Sequence, residues 1–529
     1  MGEIKLLDCT LRDGGYINNW DFGHNHIVSL FERSAAAGTD FIEVGFLDER
    51  VKFDINRTIM PDTDSADKIF AGLDKKQSEI VCMIDYGTCG IENIRPAAET
   101  TVDCIRVIFK KHLREGAMAF CAELKKLGYR VFAQLVSVTS YNDDEMHDLI
   151  RIANKVKPYA VSMVDTYGLL HQNSLKRWFE LINSELSPDI ALGYHAHNNF
   201  QMAYANCIAF LAENTDRTVL VDGTIYGMGK SAGNAPIELL VMHLNRVYGK
   251  NYNIDQFLEA IDSDIVLLCP PQPWGYSLKF FIAALNDCHP NYVAELVGKR
   301  TLSVKSVDEI LKRIPDEKKL LYDKNYIDRL YLEYQANDID DTADIKQLSA
   351  LLGGKDILVL GPCPIDDDLE RVLQKAENSV VISINFAPKN IRTDYVFLCN
   401  SKRYIQLAAE LSQKNTDYRV IAASNVTKTN GNFDFNVNYR ALYDENADPE
   451  YADNAFLMLM RFLKKVGAKR VGIAGVDGYR GVEIHDDDLK TEYRYSFERA
   501  AELNGYIKDT LEEIALDREF VTKAKYFNF

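Results

Sequence analysis

What the sequence has little of narrows its reading first. The chain has 529 residues and 10 cysteines, but no C-x-x-C pair and no regular cysteine spacing. That excludes a disulfide framework and a structural zinc site, and reads as reduced thiols packed as small apolar residues. No run approaches the roughly 18 apolar residues of a membrane-spanning helix. Basic residues are in deficit, 61 Lys+Arg against 78 Asp+Glu for a net charge of −17, which argues against a binder of nucleic-acid phosphates. Low-complexity segments are absent, as is any repeat of the solenoid kind. The N-terminal segment MGEIKLLDCTLRDGG lacks a basic-then-apolar leader, so the expected location is cytoplasmic.

What is present suits a folded, multidomain protein, with hydrophobic residues at 47% and charged residues at 26%. From residue 3 to about 246, short β-branched runs alternate with longer helical patterns. Strands are expected at Ile4–Cys9, Phe41–Phe46, Ile80–Asp85, Cys104–Phe109, Arg130–Val136, Ala160–Asp165, Ala191–His197 and Val219–Ile225. Such βα units predict a TIM (β/α)8 barrel over residues 1–250, its site lying where the strands end. A helical extension packed on the barrel is expected over 251–335 and an acidic linker over 336–345. Residues 346–529 read as a separate Rossmann-like open α/β domain. Its first turn, Gly361-Pro362-Cys363-Pro364, does not meet the dinucleotide fingerprint G-x-G-x-x-G.

The chemistry-bearing residues cluster at the expected strand ends. His195 and His197 are two apart on one strand, so both side chains point the same way and suit one shared metal ion, or a pair of hydrogen-bonding imidazoles. After the first strand, Asp13 would add a carboxylate ligand, and Arg12 would hold a substrate carboxylate or steady an oxyanion; an ordinary loop ion pair is the plainer alternative. Glu43 stands alone in the apolar strand FIEVGF and needs a partner, with Arg12 the obvious one, for either a structural or a catalytic end. The Gly-rich stretch Asp222–Asn234 would let backbone approach a ligand, with Asn234 offering an oxygen, or would be a plain turn.

Together, T-L-R-D-G, I-E-V-G and H-A-H resemble the DRE-TIM metallolyases, the superfamily of 3-hydroxy-3-methylglutaryl-CoA lyase, isopropylmalate synthase and 4-hydroxy-2-oxovalerate aldolase. The similarity is greatest to the last branch, because it continues into Pro273-Trp274-Gly275-Tyr276-Ser277, and it spans roughly residues 3–330. The resemblance implies a metal-dependent carbon–carbon lyase that forms or cleaves a bond next to a 2-oxo acid such as pyruvate, with an aldehyde as second reactant. It implies Asp13, His195, His197 and Asn234 around a divalent ion, Mn²⁺ or Mg²⁺ before Co²⁺ or Zn²⁺. It further implies Arg12 at the developing enolate, Glu43 as the third member of the name-giving trio with Asp13 and Arg12, and Tyr276 against the substrate. One position departs from the pattern: where these aldolases carry a basic histidine, this sequence has Tyr16, so either the metal and Arg12 lower the pKa of Tyr16 and it acts as the catalytic base, or another group acts, with His24 and His26 the nearby candidates. The alternatives are an acyl-CoA-dependent Claisen-type condensing enzyme, although the D-G-x-Q pattern is absent, and an inactive scaffold in sugar or capsule biosynthesis. The last domain loosely resembles sialyltransferase-like and capsule-associated Rossmann-like domains. That suggests a nucleotide or sugar-phosphate ligand near Asn385, Asn400, Ser401, Lys402 and Asp477, or a structural role in a homo-oligomer.

Overall fold

The computed structural model describes residues 2–269, 274–299, 301–388, 390–404, 407, 418–426, 433–448, 451–481 and 497–526. The chain divides into two compact units, Met1–Pro290 and Asn291–Phe529.

In the first unit, strands β1 (Ile4–Asp8), β2 (Phe41–Leu47), β3 (Ile59–Met60), β4 (Glu79–Asp85), β5 (Cys104–Phe109), β6 (Arg130–Leu135), β7 (Ala160–Asp165), β8 (Ala191–Ala196) and β9 (Val219–Gly223) form one parallel sheet. It closes because β1 pairs with both β9 and β2, while the two-residue β3 rides on the end of β2. The eight remaining strands make the expected TIM barrel. Each strand alternates its faces: Ile42, Val44, Ile105, Val107, Leu192 and Tyr194 pack outward under the helices. Inward residues at the strand beginnings, including Leu7, Phe41, Val81, Cys104, Phe132 and Leu220, fill the floor of the barrel.

The next inward positions are polar. Glu43, Arg106, Gln134, Ser162, His195 and Asp222 are all buried and form a second layer above the apolar floor. Gly45, at φ +149°, lies in a register shift of β2 against β4 and lets the strand pass the Thr58 carbonyl, which a Cβ would strike at 1.8 Å. The bulge sits directly beyond Glu43.

The segment expected as one helical extension is divided. Helices such as Ile254–Ala260 and Leu278–Leu285 go with the barrel, whereas residues from Asn291 onward go with the second unit. The expected linker at 336–345 contains the start of a helix, Thr342–Leu352. Its acidic residues are structural: Asp340 accepts from Thr342 N and Oγ1, Asp341 from Asn438 N, and Asp344 from Asn436 N.

The second unit holds an open, all-parallel sheet, with β10 (Asp356–Leu360), β11 (Val380–Ile384), β12 (Tyr395–Leu398), β13 (Arg419–Ala423), β14 (Phe435–Val437), β15 (Arg470–Ala474) and β16 (Arg518–Phe520). The order is β14-β13-β12-β11-β10-β15-β16, so the winding reverses between β10 and β15, where open α/β sheets place their ligand crevice. No described helix is long and apolar enough to cross a membrane.

Candidate metal centre

The motif Thr10-Leu11-Arg12-Asp13 is a single buried helical turn directly after β1. Thr10 Oγ1 accepts from Ile225 N at 2.8 Å, joining this turn to the loop after β9. Asp13 Oδ2 then lies 3.4 Å from His195 Nε2 and 3.9 Å from His197 Nε2, the two imidazoles coming off the end of β8. One ligand atom from each of the three lies within 4.8 Å of the others. A bridge pairs Asn234 with His197, and the Asn234 Oδ1 is buried with no hydrogen-bond partner.

The donor set fits a divalent cation. It combines a carboxylate, two imidazoles and an orphaned amide oxygen, a mixture of nitrogen and oxygen ligands suited to several divalent ions. Burial pushes His197 down to about 3, so its ring is neutral and has a lone pair to give. Burial alone would raise Asp13, yet the Arg12 guanidinium, then His197 and His195, hold it well below the usual carboxylate range. His195 is oriented from behind, its Nδ1 lying 3.0 Å from Asp222 Oδ2. A second nearby trio, Cys9, His195 and Asp222, is unsuited to metal. Burial raises the Cys9 thiol well above its ordinary value, its Sγ donates to the Gly223 carbonyl at 3.3 Å, and Asp222 is bonded to Arg106.

Arg12 joins this centre to the polar layer, its Nε donating to Glu43 Oε2 at 2.7 Å and its Nη1 to Asp13. Arg106 pairs with Glu43 at 3.3 Å and with Asp222, and it donates to Gln134 Oε1 at 2.8 Å. Gln134 in turn donates to Ser162 at 3.0 Å. Arg106, Gln134 and Asp222 are absent from the sequence-derived site set. Arg106 nevertheless carries the signal that marked Glu43, a lone charge in the apolar strand CIRVIF.

The loop after β9 closes over the carboxylate. Lys230 N donates to Asp13 Oδ1 at 3.1 Å, and the Lys230 ammonium lies 5.3 Å from the centre of the Tyr16 ring. A Cβ on Gly229 would come within 2.1 Å of Asn234 Nδ2 and 2.8 Å of Asp13 Oδ1. Gly229→Ala is therefore expected to weaken metal binding about 10–100-fold, like loss of an outer-shell partner, with unchanged melting of the metal-free protein. Calorimetric titration with Mn²⁺ checks this, and unchanged affinity refutes it.

The other expected site residues are placed differently. Tyr16 is 41% exposed beside the centre, and loss of water around its hydroxyl, then the Asp13 charge, push it up to about 12, the direction opposite to a base. His26 Nδ1 is held by Asp264 at 2.7 Å, and His24 opens the helix His24–Ala36. Tyr276 is 65% exposed and takes part in none of the described contacts of the cluster. Its neighbour Trp274 instead bonds the Tyr226 carbonyl at 2.8 Å, while Pro273 of the same motif lies outside the described residues.

In the second unit a cavity of about 480 Å³ opens at the β10/β15 crevice, with Asn385, Asn400 and Asp477 in its wall; Ser401 and Lys402 are not among its described lining residues. The Gly361 and Cys363 amides of the first turn are bonded to the Ala474 and Gly475 carbonyls, and Asp366–Asp368 follow. Neither feature favours a phosphate on that turn.

The fold and the relatives together define a class: a TIM-barrel carbon–carbon lyase. Within it, the N-terminal barrel is an HMGL-like domain, the family model matching residues 3–263. Aldolases and lyases of this kind depend on a divalent metal. The chain is 27% identical over 285 residues to the oxaloacetate decarboxylase of Mycobacterium tuberculosis, covering 53% of this chain and 82% of that one. It is 24% identical over 273 residues to the 4-hydroxy-2-oxovalerate aldolase of Stutzerimonas stutzeri, covering 51% of this chain and 78% of that one. Among solved structures, the HMG-CoA lyase from Brucella melitensis aligns at 15% identity with a TM-score of 0.41, covering 50% of this chain and 99% of that one.

Proposed function

We propose that the barrel is a divalent-metal-dependent aldolase that makes or breaks the bond between a pyruvate enolate and an aldehyde, a reaction of the 4-hydroxy-2-oxovalerate aldolase kind. The observation that carries it is the buried Asp13–His195–His197 trio with the orphaned Asn234 oxygen beside it. These four residues would hold the ion, Mn²⁺ or Mg²⁺ first and Co²⁺ or Zn²⁺ next. When bound, it supplies Lewis-acid polarisation of the substrate's 2-oxo oxygen.

The protein's own groups supply the rest. Arg12, fixed by Glu43 and Asp13, presents a permanent positive charge where negative charge develops. Burial would lower its pKa, but Glu43 and Asp13 hold it well above the ordinary value, so it stays charged. The Tyr16 hydroxyl keeps its proton at neutral pH and serves as a donor. A second reading, decarboxylation of a 2-oxo diacid such as oxaloacetate, is favoured by that same Tyr16. Loss of CO₂ gives the same enolate without a base to take a hydroxyl proton.

The test is hydrogen–deuterium exchange at the methyl group of pyruvate, followed by NMR after chelation, with and without Mn²⁺ or Mg²⁺. Metal-dependent exchange in the wild type, lost in His195→Ala, is the expected result. Absence of exchange with every metal overturns the enolate reading and moves weight to an acyl-CoA substrate or to a barrel that only binds.

A further inference from the structure

We propose that His289 is the catalytic base missing from the Tyr16 position, moving the proton of the substrate hydroxyl at the barrel mouth. This rests on the aldolase reading and extends it to the acceptor side.

His289 ends a firmly held turn after the helix Leu278–Leu285. Asp287 takes a left-handed conformation at φ +53°, Cys288 N bonds the Ala283 carbonyl at 2.9 Å, and Cys288 Sγ bonds the Asn286 carbonyl at 3.3 Å. The His289 ring packs edge-on against Tyr167, with centroids 5.8 Å apart. Tyr167 belongs to the loop after β7, which Asp165 secures by accepting from Leu169 N at 2.8 Å and Leu170 N at 3.0 Å. That loop lies against the metal centre: a Cβ on Gly168 would approach the His197 carbonyl to 2.7 Å. His289 is thus built into the catalytic face.

Two ammonium groups act on it from other loops of this face, Lys230 after β9 and Lys110 after β5. Burial, and then these two charges, push the imidazole down to about 4, so at neutral pH it is an unprotonated acceptor.

In the cleavage direction the imidazole takes the proton of the 4-hydroxyl, and the O–H electron pair becomes the new C=O bond of the aldehyde. The C3–C4 bond breaks, and its electron pair passes into the pyruvate enolate. The imidazolium then releases its proton to solvent and the enolate takes one from solvent at C3, giving pyruvate and neutral His289, with no oxidant, reductant or net proton needed.

The full-length protein is assayed with Mn²⁺ on racemic 4-hydroxy-2-oxovalerate and 4-hydroxy-2-oxohexanoate, and separately on oxaloacetate. His289→Gln is expected to lower kcat for cleavage about 10²–10⁴-fold, while decarboxylation, which moves no hydroxyl proton, stays within about threefold. Free imidazole restores part of the cleavage rate in His289→Gly. A parallel fall of both reactions, or unchanged cleavage, overturns the proposal. Failure of the wild type to exchange the pyruvate methyl group instead overturns the aldolase reading itself, so the two failures are distinguishable.

Discussion

Asp13→Ala is expected to weaken Mn²⁺ binding by well over about 100-fold, and Asp222→Asn by about 10–100-fold, in that order. Asp13 faces both imidazoles through one oxygen and receives the Lys230 amide through the other, so its removal takes away a donor and the anchor of the β9 loop. Asp222 reaches the metal set through the far nitrogen of His195, its other partner being Arg106, and its loss frees the ring's orientation while leaving all candidate donors in place. Calorimetric titration of each variant, with melting of the metal-free protein as a control for folding, measures both. Equal losses, or an Asp222 effect larger than that of Asp13, contradict the assignment of ligand and orienting residue.

Arg106→Met is the substitution expected to harm stability most, by about 3–5 kcal/mol, because it leaves Glu43 and Asp222 buried with one counter-charge fewer. The guanidinium is buried and meets inward-facing side chains of three other strands, Glu43, Gln134 and Asp222. The surface pair Arg130–Glu79 is the control, since Arg130→Met there is expected to cost no more than about 1 kcal/mol. Urea unfolding followed by tryptophan fluorescence isolates the effect, since all 3 tryptophans (Trp20, Trp178 and Trp274) lie in the barrel unit. Adding Glu43→Gln to Arg106→Met is expected to recover part of the loss, because it removes the stranded negative charge.

The barrel was legible in the sequence because every strand is buried on both faces and reads as a short apolar run, with ends within about two residues of those observed. His195 and His197 were legible because strand pleating leaves a pair two apart no choice but to share a side. Residues brought together by closure were harder to see. Asp222 reaches His195 only because β8 and β9 are neighbours, and His289 arrives from beyond the last strand. In the second unit, the three-residue strands β14 and β16 are too short to show any period. The acidic stretch at 336–345 had the composition of a linker, but its carboxylates are used as turn and capping acceptors, a role that composition does not reveal.

The polar layer also couples two binding events. Asp13, Glu43 and Asp222 are countered by the guanidiniums of Arg12 and Arg106, with His195 against Asp13 and Asp222 and the Lys230 charge acting on Asp13. A dication held there would add two positive charges to this enclosed set and strengthen the hold on a carboxylate beside it, and by reciprocity a bound carboxylate would strengthen the hold on the metal.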